Sequence, residues 1–227
     1  MQLKDETIQV LKNFALINPN MVIREGSEIK TVAEAKNVYA AATVQDSFPV
    51  EFGIYDLNEF LSVMSIMDNP DLVFSDKWVT INSGSGRSKI KYYFTDPDML
   101  TSPTRLVKLP SEYEIEFRLD STTLGRIKTA ASTLGHNELV ITPDNGSLRL
   151  TVADTENVTS NTFSIDVPGK YDQSDSFELI LNITNIKKLV VGDYNVQLSS
   201  KLVSRFESTS PAIEYMVALE KNSKYGK

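Results

Sequence analysis

The stretch LDSTTLGRIKTAASTLG, residues 119–135, reads as a short amphipathic helix. Leu124, Ile127, Ala131 and Leu134 recur on one stripe, the spacing a helix needs to pack against a core. Asp120 stands where an N-cap carboxylate accepts from the first unpaired amides, and Gly135 supplies the stop. Arg126 and Lys128 flank that stripe in a chain that is acidic overall.

The same helix is written three more times. KDETIQVLKNFALIN carries Ile8, Leu11 and Ala15, YDLNEFLSVMSIMDN carries Leu57, Phe60 and Met64, and LNITNIKKLVVGD carries Ile183, Ile186 and Val190. Asp5, Asp56, Asp120 and Asn182 are the expected caps, spaced 51, 64 and 62 residues apart. Between them lie runs of period two, among them VYAAATV, DLVFSDKWVTINS, SKIKYYFT, NTFSIDV and EYMVALE, which read as strands. In ELVITPDNGSLRLTV the pair Asn145-Gly146 is a strong hairpin signal.

A strand–helix–strands module repeated four times accounts for the chain. The expected fold is α+β, with two similar domains of two modules each and helices on one face of antiparallel sheets. PDMLTSPTRLVKLP, with Pro97, Pro103 and Pro110, has neither period and suits an extended connector. The expected division is a first domain over 1–97, a connector over 98–111 and a second domain over 112–227.

Composition narrows the function. The 227 residues are 41% apolar and 23% charged, an ordinary globular balance, and no run approaches a membrane span. MQLKDETIQV lacks the layout of a signal peptide, so the sequons at Asn145, Asn157 and Asn182 carry no weight, and a reducing, intracellular setting is expected. With no cysteine, thiolate catalysis and cysteine-ligated metals are excluded. The single histidine, His136, follows a helix end and reads as a turn residue.

NSGSGRSK, residues 82–89, fits neither phosphate-loop spacing and reads as a hairpin loop. DNPDLVFSD lacks the glycine and terminal glutamate of a calcium loop. No catalytic constellation, metal site or cofactor is expected.

The net charge is −7, and up to Pro97 nine basic and thirteen acidic residues leave −4. The remainder, with fourteen basic and seventeen acidic residues, holds −3. Neither part is a basic domain, so any contact with phosphates must come from a local surface. One such surface is legible. The residue after the second stripe position is Lys12, Leu61, Lys128 and Lys187 in the four helices, a lysine at one phase in three of them. A lysine snorkelling at a core rim explains one instance more simply than three.

LKNFALIN, EFGIYDLNEFLSVMSIM, GDYNVQL and YMVALE, taken in order, resemble the DNA polymerase sliding clamps of T-even bacteriophages. The resemblance runs over essentially the whole chain. It implies clamp-type domains in a homotrimeric ring around double-stranded DNA, with helices lining the hole. It also implies a non-enzymatic processivity factor in the cytoplasm of the infected bacterial host. Such a ring tethers the replicative DNA polymerase, is loaded by an ATP-driven clamp loader and serves viral late transcription factors. Acidity is then no obstacle, because a topological link replaces tight binding. The competing reading is a non-ring viral protein-binding module or assembly protein.

Residues carried onto that scheme fall in three groups. Lys4, Lys12, Arg126, Lys128, Lys187 and Lys188 are expected to face DNA, and the second helix, with Leu61 at the shared phase, is not. Ile90, Tyr92 and Phe94, with Phe163, Ile165 and Val167, are expected at the subunit joint. Leu106, Val107, Leu109 and Pro110, with Tyr215, Met216 and Val217, are expected to line a groove for partner peptides. RLVKLP is unusually apolar for a surface connector.

Overall fold

The computed structural model describes residues 1–103, 110–157 and 159–226. The chain forms two compact units, one of Met1–Leu106 with Pro211–Ile213 and the other of Val107–Ser210 with Glu214–Lys227. Among the described residues both are α+β, with two α-helices each and antiparallel pairing of their strands.

The first unit contains α1 (Asp5–Ala15), β1 (Met21–Ile23), β2 (Gly26–Val32), β3 (Val38–Phe48) and β4 (Phe52–Ile54). It continues through α2 (Leu57–Ser65), β5 (Asp71–Phe74), β6 (Trp78–Asn82) and β7 (Lys89–Tyr93). β1 pairs with β4, β2 with β3, and β5, β6 and β7 form a three-stranded sheet. Strict alternation along β3 sends Val38, Ala40, Ala42, Val44 and Phe48 inward, where α1 covers them. Phe52 is the centre of an aromatic cluster, stacked on Phe94 at 4.8 Å and tilted against Phe74 at 5.2 Å and Phe48 at 5.9 Å.

The second unit contains β8 (Ile115–Leu119), α3 (Ser121–Leu134), β9 (Glu138–Asp144), β10 (Ser147–Ala153), β11 (Phe163–Lys170) and β12 (Ser176–Asn182). It closes with α4 (Ile183–Ile186), β13 (Tyr194–Ser199), β14 (Val203–Thr209), β15 (Ala212–Ala218) and β16 (Lys224–Gly226). Its strands lie in the order β16-β12-β9-β10-β11-β8-β13-β14-β15. Asn145 and Gly146 both have positive φ, 45° and 90°, and turn β9 into β10 with Asp144 opposite Ser147. That is the two-residue turn the sequence signals.

The helix stripes are largely as read. Leu57, Phe60 and Met64 in α2, and Leu124, Ile127 and Ala131 in α3, are buried. Asp56 caps α2 through the amides of Asn58 and Glu59, Asp120 caps α3 through Thr123, and Asn182 caps α4 through Thr184. Gly135 ends α3 in the left-handed region at φ 73°.

Two expectations are corrected. The N-cap of α1 is Lys4, whose side chain makes no cap bond, and Asp5 lies in the first turn. The amide of Lys4 donates to the Asp46 carboxylate at 2.8 Å. The fourth helix is a single turn, so Val190 lies beyond it rather than on its stripe.

Candidate functional site

The basic residues of the helices do not share one environment. Lys12 in α1, Arg126 in α3 and Lys187 just after α4 are exposed, as is Lys4 ahead of α1. Lys128 is half-buried, and its ammonium donates to the carbonyl of Leu189 at 2.8 Å. Burial pulls its pKa below the ordinary lysine value. The expected common phase therefore breaks at Lys128, because the turn that follows the one-turn α4 brings the Leu189 carbonyl within reach of its ammonium. Lys188 is half-buried as well, and Leu61 in α2 is core, 8% exposed.

The segment leaving α4 is fixed from three directions. Tyr194 donates its hydroxyl to the carbonyl of Val190 at 2.7 Å, and the amide of Val190 donates to the hydroxyl of Tyr215 at 3.3 Å. Lys128 holds the preceding carbonyl. Burial raises the pKa of both tyrosines, which favours the neutral phenols: Tyr194 keeps the proton it donates, and Tyr215 offers its oxygen as acceptor. Lys187 and Lys188 are thus presented from a short segment with little freedom.

Tyr215 and Val217 are both 0% exposed and Met216 is 5% exposed. Expected at a peptide groove, Tyr215 and Val217 are instead core side chains, and Tyr215 spends its hydroxyl on Val190. β15 alternates too weakly to show this, since its run Tyr215, Met216 and Val217 is buried on both faces. Pro110 is half-buried, and Leu106, Val107 and Leu109 lie outside the described residues.

Two strand edges carry the residues expected at a joint. Among the described residues β7 pairs only with β6, leaving its other edge open beside Ile90 and Tyr92, both half-buried. Tyr92 sets its ring edge-on to Phe60 at 5.1 Å and directs its hydroxyl at Glu59, 3.4 Å away. Phe94 lies just past β7 and stacks within its own unit's aromatic cluster, so it is not an edge residue.

Among the described residues β11 pairs with β10 from Phe163 to Pro168 but meets β8 only at Gly169 and Lys170. Its other edge is therefore open along Phe163 and Ile165, which are half-buried. Val167 faces Leu148 and is 7% exposed, which commits it to the core. Beside this edge an open groove on the outer face of α3 is lined by Gly125, Arg126, Thr129, Ala130, Leu134 and Phe163. Small residues along a helix let another element approach closely.

No group of acidic or histidine residues among those described could hold a metal ion. The family description "DNA polymerase processivity factor" matches residues 4–99, and "gp45 sliding clamp, C terminal" matches residues 116–221. The chain is 36% identical to the sliding clamp of Vibrio phage KVP40 over 97% of its own length and 99% of the relative's. This chain belongs to the sliding-clamp family.

It is also 29% identical to the clamp of Enterobacteria phage T4, over 98% of both chains. The fold is that of distant clamps too. The TM-score is 0.69 to the Proliferating Cellular Nuclear Antigen of Entamoeba histolytica, at 13% identity over 96% of this chain and 97% of that one. To A. fulgidus PCNA, solved with the C-terminal region of FEN-1 bound, it is 0.71 at 14% identity over 98% of both chains.

In this clamp one positioning residue escapes sequence reasoning. Asp193 accepts the amide of Ser121 at 2.8 Å and the guanidinium of Arg118 at 2.9 Å, giving α3 a second carboxylate at its start. The Ser121 amide, and after it Arg118, hold the Asp193 carboxyl below its usual range. Gly192-Asp193 reads only as a helix exit, because its partners are some seventy positions away.

Proposed function

We propose that this clamp closes as a ring of three identical chains around duplex DNA and tethers the replicative DNA polymerase of a bacteriophage. The observation that carries the reading is the alignment with the KVP40 clamp along the whole of both chains. The exposure of Lys12, Arg126 and Lys187, with Lys4 and Lys188 nearby, supports helices that meet phosphates. Lys128 serves them from within as a strut. A net charge of −7 is compatible with this, since the ring's topology and not its affinity retains it.

In the proposed joint, the open edge of β7, with Ile90 and Tyr92, adds to the open edge of β11 in the next subunit, with Phe163 and Ile165. A short peptide of the polymerase docks against Leu106, Val107, Leu109 and Pro110 in the connector over 98–111. The clamp loader, driven by ATP, and late transcription factors compete for the same place. The clamp itself catalyses nothing and acts inside the infected bacterial cell.

Sedimentation equilibrium at micromolar concentration tests the ring, with the mass of three 25.3 kDa chains expected. Once loaded, the clamp should persist on circular DNA and run off linear DNA. A monomer in the first experiment, or equal retention on both DNAs in the second, overturns the reading.

A further inference from the structure

The outward face of the β5–β6–β7 sheet has no part in that scheme. Leu72, Val79 and Ile81 are buried, so the alternate residues Asp71 and Val73, Trp78, Thr80 and Asn82, and Lys89, Lys91 and Tyr93 point the other way. Register places Thr80 opposite Lys91 and Trp78 opposite Tyr93. Tyr93 is 63% exposed and Val73 49%, and Trp78 is the single tryptophan of the chain.

The ammonium of Lys91 lies 3.4 Å from the centre of the Trp78 ring and 4.9 Å from that of Tyr93. The rings hold it by cation–π attraction while leaving some of its N–H groups to solvent. Lys89 is exposed on the same face, and Arg87 and Lys77 are exposed in the turns of the sheet, Lys77 and Tyr93 sharing a cleft with Glu51, Asp76 and Asp96. None of these four cations, Lys91 included, forms an ion pair with a described residue. They make up four of the nine basic residues before Pro97, in a stretch of net charge −4. The one carboxylate in the outward rows, Asp71, is already neutralised by the amino group of Met1 at 2.6 Å.

We infer that this face is a docking site for an acidic peptide segment of a partner protein. Local positive charge on a negative body supplies the complementarity, and it steers an acidic segment to this face. Val73 and Tyr93 supply apolar contact beside it. Single-stranded nucleic acid is the poorer fit, because a base stacks on an open ring and Lys91 covers the face of Trp78. A carboxylate binds the ammonium where it already sits, so less side-chain freedom is lost on binding.

Trp78 reports on the site directly. Titrating the full-length protein with an acetylated, glutamate-rich peptide containing leucine and no aromatic residue should give a saturable change in tryptophan emission. The affinity should fall several-fold between about 50 and about 200 mM salt. Lys91→Gln should weaken binding about tenfold while Lys91→Arg retains it, with sedimentation unchanged in both variants. Three results would overturn the inference: no saturable change, saturation by oligothymidine in place of the peptide, or altered self-association in Lys91→Gln. The first means no acidic partner, the second a nucleic-acid surface, and the third a contact between copies of the chain.

Discussion

The ammonium of Lys128 and the carbonyl of Leu189 are 2.8 Å apart, joining α3 to the end of α4. That bond separates Lys128 from the basic residues it accompanies in sequence. Lys128→Met should lower unfolding free energy by about 1–2 kcal/mol, because a partly buried carbonyl loses a charged donor. Retention on circular DNA should change little. Urea unfolding beside a retention assay checks both halves, and a large loss of retention in a stable variant would return Lys128 to the DNA.

Charge reversal of Lys12, Arg126 and Lys187 should do the opposite. All three are exposed, so stability should shift by no more than about 0.5 kcal/mol each. Processivity should fall most at low salt, and its salt dependence should be shallower than that of the unsubstituted clamp. Unchanged polymerase processivity at moderate salt would remove these residues from the DNA path.

Ile90→Arg in β7, or Ile165→Arg in β11, should give a folded chain that no longer forms trimers at micromolar concentration. A charge on an open strand edge opposes pairing by another chain. Circular dichroism with sedimentation velocity distinguishes this from unfolding, and intact trimers in both variants would place the joint elsewhere.

Burial, and after it the carboxylate of Glu59, push the Tyr92 phenol up from its usual 10.0 to about 12. The fold therefore favours the neutral phenol. That contribution is fully present below pH 10 and is lost as pH rises through about 12. Tyr92→Phe should flatten the loss of stability over that window, measured as the difference from the unsubstituted chain because Tyr194, Tyr215 and Tyr225 also have raised pKa values.

Gly53 pairs with Thr95, and a Cβ at Gly53 would meet the Thr95 carbonyl oxygen at 2.3 Å and Leu100 at 2.8 Å. Backbone cannot yield as a side-chain tip does, so Gly53→Ala should cost about 1–3 kcal/mol. Thermal unfolding reads this, and a neutral substitution would mean the pairing is soft.

Val107→Ser with Leu109→Ser should abolish stimulation of the polymerase while trimers form and encircle DNA. Full stimulation by the double variant would move the partner peptide away from the connector.

Local chemistry is legible along the chain. The α2 and α3 stripes, the carboxylate caps at Asp56 and Asp120, the Asn145-Gly146 turn and the Gly135 stop are short-range events, settled by side chains within a few positions. The resemblance of whole stretches carried the family for the same reason, since order along the chain is visible without a fold. Which lysines stand in solvent depends on long-range packing. Lys12, Lys128 and Lys187 share a helical phase, but exposure depends on what stands opposite, and Lys128 meets the carbonyl of Leu189 just beyond the one-turn helix. Tyr215 reads as a surface strand residue until Val190 is brought to its hydroxyl, and Phe94 as an edge residue until Phe52 stacks on it. In each case the deciding partner is at least 25 residues away, where periodicity carries no information.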